Sequence, residues 1–474
     1  MASTCSWPIF LVTLLFLLFL SLSLYSYHPN EDIKLLFPIK VLPNNLKTAH
    51  TEAPKAPAQH NSNGSRATTT LKLTVPVSKH IKNIDGKFLR IEKDLAEART
   101  AIRKAIRQRN FTSDREESFI PRGCVYRNSY AFHQSHIEML KRFKVWTYKE
   151  GEPPLFHSGP QSSIYGVEGH VMNELESGES PFKARHPDEA HIFMLPISVA
   201  HIVHFLYNPL VTYARDQLMR TVTDYTDIIS HKYPYWNRSK GADHFLASCH
   251  DWAPDISKEK PGMELYKNLI RVLCNANTSE GFEPAKDVSL PEINIRGFEL
   301  NPPMVGQHPQ NRPILAFFAG RLHGRIREIL LDRWKGKDEE MQVYDILPKH
   351  LNYQELMGKS KFCLCPSGYE VASPRLVESI NAGCVPVIVS DYYELPFSDV
   401  LDWTKFSIVI PSKRIPEIKT LLKDVSETKY LKLYKRVIKV RRHFQLNRPA
   451  KPFDVLHMII HSVWLRRLNV RLSH

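Results

Sequence analysis

Between residues 314 and 389 the chain repeats one pattern, in which short apolar runs suited to buried strands are each followed by a stretch with helical spacing. The runs 314–319, 341–347, 361–365 and 385–389 are separated by helix-like segments at 325–334, 353–359 and 374–382. Short buried strands alternating with helices require a parallel sheet covered on both faces. Such a sheet binds ligands beyond the carboxyl ends of its strands. From 119 to 304 the pattern recurs more faintly, with strands expected at 143–148, 190–195 and 245–247. The expected fold is therefore α/β, with two Rossmann-like domains, 119–305 and 306–428, facing across a cleft. The basic segment 429–474 carries Leu456, Ile459 and Trp464, which a free tail does not need, so it is expected to form helices that pack back on the body.

Ahead of this body, residues 8–27 carry no charge and match the length of a bilayer-spanning helix. The expected layout is a cytoplasmic tail at 1–7, a transmembrane signal anchor at 8–27 and a stem at 28–118. A secreted chain cleaved after Ser23 is the alternative. No Lys or Arg precedes the apolar run, so the flanking charges barely orient it. The four Asn-x-Ser/Thr sequons at Asn63, Asn110, Asn237 and Asn277 all follow it, which favours a lumenal, glycosylated body and a type II anchor. Within the stem, residues 81–109 place Phe88, Ile91, Leu95, Ala98, Ile102 and Ile106 on one side of an amphipathic helix, with a dimerising coiled coil as the alternative.

The formal net charge of +15 points to anions as partners. No zinc-finger spacing, RNP-like run or basic zipper accompanies it, so nucleic acid is not expected. Nucleotide diphosphates, acidic glycans and anionic headgroups remain. The seven cysteines form no CxxC pairs, so no metal site is expected. Six of them follow the apolar run, which is compatible with disulfides of unfixed pairing or with buried free thiols.

Two stretches carry chemistry. In AFFAGRLHGRIRE, 316–328, a buried strand ends in Gly320 and Arg321, followed by Arg325 and Arg327. Glycine admits a ligand close to the backbone and arginine forks onto phosphate oxygens. The plainer reading is solvated charge at a helix start. In CLCPSGYEVASPRLVESINAGCVPVIVSDYYELPF, 363–397, Ser373 is a good N-cap and Pro374 a good first helical residue, which turns free N–H groups towards an anion. Arg375 and Glu378 share a side away from the buried stripe, either to face the cleft or as a surface ion pair.

This second stretch resembles the donor-binding segment of exostosin-family glycosyltransferases. RGCVYRNSY from Arg122, VWTYKEGEPPLFHSGP from Val145, YPYWNRSKGADHFLASCHDWAP from Tyr233 and the AFFAGR run resemble the plant branch of that family, in order, from Ile120 onward. The resemblance implies a GT-B-like fold, a Golgi location, inversion at the anomeric carbon and a role in cell-wall or matrix polysaccharide synthesis. It implies a UDP-sugar donor, a polysaccharide or glycan acceptor and other Golgi glycosyltransferases as candidate partners. By motif position Gly320, Arg321 and Arg325 would meet the diphosphate. Ser367, Gly368, Ser373, Pro374 and Arg375 would line the nucleotide pocket, and Glu378 would hold the ribose.

An inverting transfer needs a base for the acceptor hydroxyl and positive charge for the leaving diphosphate. The run 224–227 is spaced wrongly for a manganese-binding Asp-x-Asp motif, so metal independence and no cofactor are expected. The base is sought in the first half, as Asp243 or Asp251 with His244 or His250 assisting. Trp252 is a sugar-stacking candidate, and Glu168 and His170 are further candidates for the base. Two other readings stand beside this one: a non-catalytic scaffold of a synthase complex, and a glycoside hydrolase with paired carboxylates.

Overall fold

The computed structural model describes residues 77–111, 119–208, 213–297, 299–301, 306–470 and 472, with side chains from 86 onward except 87. The expected tail, anchor and most of the stem, and the sequon at Asn63, lie outside the described residues. Among the described residues no helix is long and apolar enough to cross a membrane.

Two parallel sheets of five strands each form the body, consistent with a GT-B-like fold. The first contains β1 (Val145–Thr147), β2 (Ile192–Met194), β3 (His244–Ser248), β4 (Ile270–Leu273) and β5 (Val288–Ser289), in that order. The second contains β6 (Ile314–Ala319), β7 (Met341–Tyr344), β8 (Ser360–Pro366), β9 (Val385–Val389) and β10 (Ile408–Ile410), ordered β10-β9-β8-β6-β7. Every pairing between them is parallel. Period-two alternation sorts each strand between two cores: Phe245 and Ala247 face the large core, whereas Leu246 packs into a second cluster with Phe193 and Leu273. Both faces of the sheet are thus covered.

The helix α1 (Val77–Gln108) packs on α2 (Ser129–Arg142) as part of this body. Its buried stripe runs Phe88, Ile91, Leu95, Ala98 and then Ala105, while Ile106 is exposed, so the expected stripe drifts by one position at its end. Arg142 pairs with Asp94 and Glu97 of α1.

The last helix, Val455–Asn469, is buried on nearly all sides. Leu456, Ile459 and Trp464 enter the large core, each contributing roughly 1.5–3 kcal/mol of apolar burial. Its Arg466 reaches Asp399 of the second half at 2.8 Å and the carbonyl of Asp287 of the first at 2.8 Å, fastening one half to the other. Disulfides join Cys249 to Cys274 and Cys363 to Cys384, and Cys124 and Cys365 are free.

Candidate active site

The second sheet reverses its order between β6 and β8, so the loops leaving these neighbours diverge and open a crevice at their carboxyl ends. That crevice holds the glycine-arginine turn. Gly320 follows β6, and a Cβ there would lie 2.3 Å from Nη2 of Arg375, so only glycine leaves this guanidinium its place. Arg375 donates from Nε and Nη2 to the carbonyl of Ala319, at 3.2 and 2.9 Å. Gly324 has φ +87 and a built Cβ would meet the carbonyl of Gly368 at 2.4 Å, so the turns after β6 and β8 touch.

Gly324 precedes α3 (Arg325–Trp334). Arg327, on its first turn, is half-buried, and its Nε finds no hydrogen-bond partner among the described residues. Burial and then Arg375 push the Arg327 guanidinium down to about 10, which leaves it charged at neutral pH. Arg325 faces solvent and pairs with Glu328 at 2.8 Å, and Arg321 is also exposed. Of the arginines on this stretch, Arg321 and Arg325, the two expected by motif position to meet the diphosphate, face solvent, and Arg327 is the one turned towards the crevice.

The short helix α4 (Arg375–Asn381) is preceded by Pro374, and no side chain caps it. The expected Ser373 cap is replaced by another contact: its buried hydroxyl accepts from Nη1 of Arg375 at 3.4 Å. Ser367 is buried too, and its hydroxyl donates to the carbonyl of Val371. One turn into α4, Glu378 accepts from the Tyr353 hydroxyl at 2.8 Å and from Asn294 at 3.3 Å. These three line a small pocket, partly open to solvent, with Ile293, Leu300 and Val377 as apolar walls. Arg375 does not line this pocket; it belongs to the adjoining crevice with Arg327.

Opposite stands the loop after β3, fixed at its root by Cys249–Cys274. Glu168 is fully buried and accepts from the Ser248 hydroxyl at 2.7 Å, the Cys249 amide at 2.9 Å and the Ser198 hydroxyl, tying this loop to the one after β2. Such a carboxylate is a brace with no open lone pair for a substrate. His170 is buried beside it, its Nε2 3.3 Å from the carbonyl of Gln161. Asp251 accepts from the Tyr165 hydroxyl at 2.8 Å. Burial and the facing Glu370 push Asp251 up to about 6. Glu370 lies on the loop after β8, so the two halves meet here. His250 packs on Tyr165 with ring centres 4.9 Å apart, and burial pushes it down to about 4. Its Nδ1 accepts from the Trp252 amide.

Asp243 and His244 are not brought to this cleft. They stand at the amino end of β3, a five-residue strand whose length is roughly 16 Å. Asp243 is buried against Arg238 at 2.6 Å and lies 2.8 Å from Nδ1 of His244. Burial alone would raise its pKa, but His244 and Arg238 outweigh it and hold the carboxyl below the usual range. That pair is a structural ion cluster and a poor base. Trp252 carries the Arg215 guanidinium 3.4 Å above its ring, which occupies one face of the expected stacking platform. Asn277 is 6 % exposed and its side-chain oxygen caps the turn Thr278–Glu280, which corrects the expectation of a glycan there. Asn110 and Asn237 are exposed.

Glu292, Tyr165, Glu370, Tyr353 and Asn294 stand out in no local motif, yet all meet in or beside the cleft. Arg327 had a legible signal, since it stands at i, i+3, i+4 and i+7 with the buried Leu330, Leu331 and Trp334.

A two-lobed parallel α/β protein with its candidate site between the lobes is the class that this geometry defines. Residues 139–425 match the model of the Exostosin GT47 domain. Two probable glycosyltransferases of Arabidopsis thaliana are each 50% identical to the chain. One matches over 385 residues, 81% of this chain and 73% of its own length, and the other over 395 residues, 82% of each. A probable beta-1,4-xylosyltransferase of the same plant, IRX10, is 29% identical over 346 residues, 68% of this chain and 82% of its own. The chain belongs to the exostosin GT47 family and is a glycosyltransferase related to plant proteins named as xylosyl- and glucuronosyltransferases.

Proposed function

We propose that the enzyme transfers a sugar from a UDP-sugar to a cell-wall or matrix glycan with inversion, in the Golgi lumen, anchored through residues 8–27. One observation carries this: the switch-point crevice of the second sheet holds Arg327 and Arg375, and Asp251 of the first sheet faces it. Glu378, with Tyr353 and Asn294, receives the ribose hydroxyls in the adjoining pocket. Arg327 and Arg375 take the charge that builds on the diphosphate as the anomeric C–O bond breaks. Asp251 removes the proton of the attacking acceptor hydroxyl, and Tyr165 aims its carboxylate. Arginine in a desolvated crevice supplies the positive charge without a metal ion, so chelation by EDTA is expected to leave turnover unchanged. The two disulfides suit an oxidising lumen. Relatives named as xylosyl- and glucuronosyltransferases make UDP-xylose and UDP-glucuronate the first donors to try. The test is a screen of UDP-xylose, UDP-glucuronate, UDP-galactose, UDP-arabinose and GDP-fucose for turnover, with calorimetric titration of UDP and GDP. A protein with no affinity for either nucleotide is a scaffold and not this enzyme.

A further inference from the structure

The segment leaving β5 carries a carboxyl that the mechanism above does not use. Glu292 is 6 % exposed, and among the described residues its side chain makes no hydrogen bond and no ion pair within 4.0 Å, while its oxygens are not sealed from solvent. Its neighbour Asn294 reaches Glu378 in the nucleoside pocket, and Ile295 bridges to Ser163, two residues before the Tyr165 that holds Asp251. Glu292 therefore stands between the pocket and the base.

The groups that act on it come from every wall of the crevice. They are Asp251 after β3, Arg327 on α3, Glu370 after β8 and Arg375 on α4, with the hydroxyls of Tyr165 and Tyr393. An ionised carboxylate buried in this way without a hydrogen bond is strongly disfavoured. Burial, with Asp251 adding to it, pushes Glu292 up to about 8, and the two arginines only partly oppose this. At neutral pH it is a neutral acid with an O–H to donate. Beside it stand the guanidinium groups of Arg327 and Arg375, and the ligand that suits an acid O–H next to two cations is an oxygen-rich anion.

We infer that Glu292 donates a hydrogen bond to a diphosphate oxygen of the bound nucleotide, alongside Arg327 and Arg375. The inference rests on the nucleotide-sugar reading above. The acid keeps its proton through the reaction. The acceptor hydroxyl proton goes to Asp251, the C–O bonding pair goes to the diphosphate, and the Glu292 hydrogen bond strengthens as that oxygen gains charge.

UDP titrated calorimetrically into the full chain in detergent, at pH 7 and pH 9, tests this. A group with a pKa near 8 passes from roughly 90% to roughly 10% protonated over that range, so wild-type affinity is expected to fall about tenfold. Glu292→Gln keeps a neutral donor, and its affinity should match wild type at pH 7 within about threefold and stay level to pH 9. Thermal unfolding of the variant verifies that it is folded. A fall in Glu292→Gln equal to that of wild type, or a wild-type affinity that is level or rises with pH, overturns the inference and leaves the nucleotide reading intact. Absence of UDP binding by wild type at both pH values removes the nucleotide reading, and this inference with it.

Discussion

Replacing Asp251 by Asn is expected to abolish transfer while making the protein more stable. The carboxyl is raised from 3.8 to about 6, chiefly by burial, so ionising it in the folded chain costs free energy. Two pK units correspond to at most about 3 kcal/mol, and partial access to solvent reduces this to roughly 1–2 kcal/mol. A raised carboxylate pKa destabilises fully above pH 6 and not at all below the unfolded value near 4. The Asn variant should therefore melt about 1–3 °C higher at pH 7 and no higher at pH 3.5. Its amide oxygen still accepts from Tyr165, so the loop keeps its shape. Loss of the base should lower kcat/KM by about 10²- to 10⁴-fold. In the wild type kcat/KM should fall about tenfold between pH 7 and pH 5, as Asp251 takes up its proton. Tyr165→Phe, which removes a hydrogen bond that favours the ionised form, should move that limb to higher pH. The assay is nucleoside diphosphate release with the donor that gives turnover, paired with calorimetric melting. An Asn variant whose kcat/KM stays within about threefold of wild type would refute the assignment, as would an acid limb indifferent to Tyr165→Phe.

Among the arginines, Arg327→Met should weaken UDP binding at least about tenfold, whereas Arg325→Ala should change it less than about twofold, by titration calorimetry. The double change Cys249→Ser with Cys274→Ser removes a cross-link across 25 residues and should cost about 3 kcal/mol of stability in denaturant unfolding, with a loss of turnover as the Asp251 loop loosens. Peptide mapping of protein made in a secretory host should find glycan at Asn110 or Asn237 and none at Asn277, whose side chain the fold buries.

How far the sequence disclosed this fold depended on how cleanly each element separates apolar from polar positions. β6, β9 and the helix Arg325–Trp334 fall on the expected residues, because continuous apolar runs flanked by glycine admit one register. β4 was missed because Arg271 interrupts it; that charge is tolerated inside the sheet only by pairing with the buried Asp287. β5 has two residues, too few for any period to register, and β10 (Ile408–Ile410) carries the exposed Val409, which breaks the buried run that marked the other short strands. The site was legible where a motif is local and obscure where it spans the chain. Gly320 and Arg375 announce themselves as types, yet their contact joins residues 55 positions apart. Asp243–His244 and His250–Asp251 look equivalent in sequence. Only the direction of β3 decides that the first pair stands at the closed end of the strand and the second at the open one. Glu292 sits in an unremarkable loop, and its meaning comes entirely from what other loops leave around it.

The electrostatics of the cleft also correct the use of net charge as a guide to partners. A formal charge of +15 describes the whole chain, but the crevice sets two arginines against three carboxyls, Asp251, Glu292 and Glu370. Fully ionised, that set is net negative and would repel a diphosphate. Burial changes the sum, since all three carboxyls are raised, Glu292 furthest. With Glu292 neutral the set is balanced, and uptake of one more proton by Asp251 during transfer leaves a net positive charge as the diphosphate departs. The same desolvation that makes the site costly to fold thus keeps it receptive to an anion and gives Asp251 a pKa suited to a base. A substitution that opened the cleft to water would return the carboxyls towards their ordinary values. It should therefore weaken nucleotide binding without removing a single contact to the nucleotide.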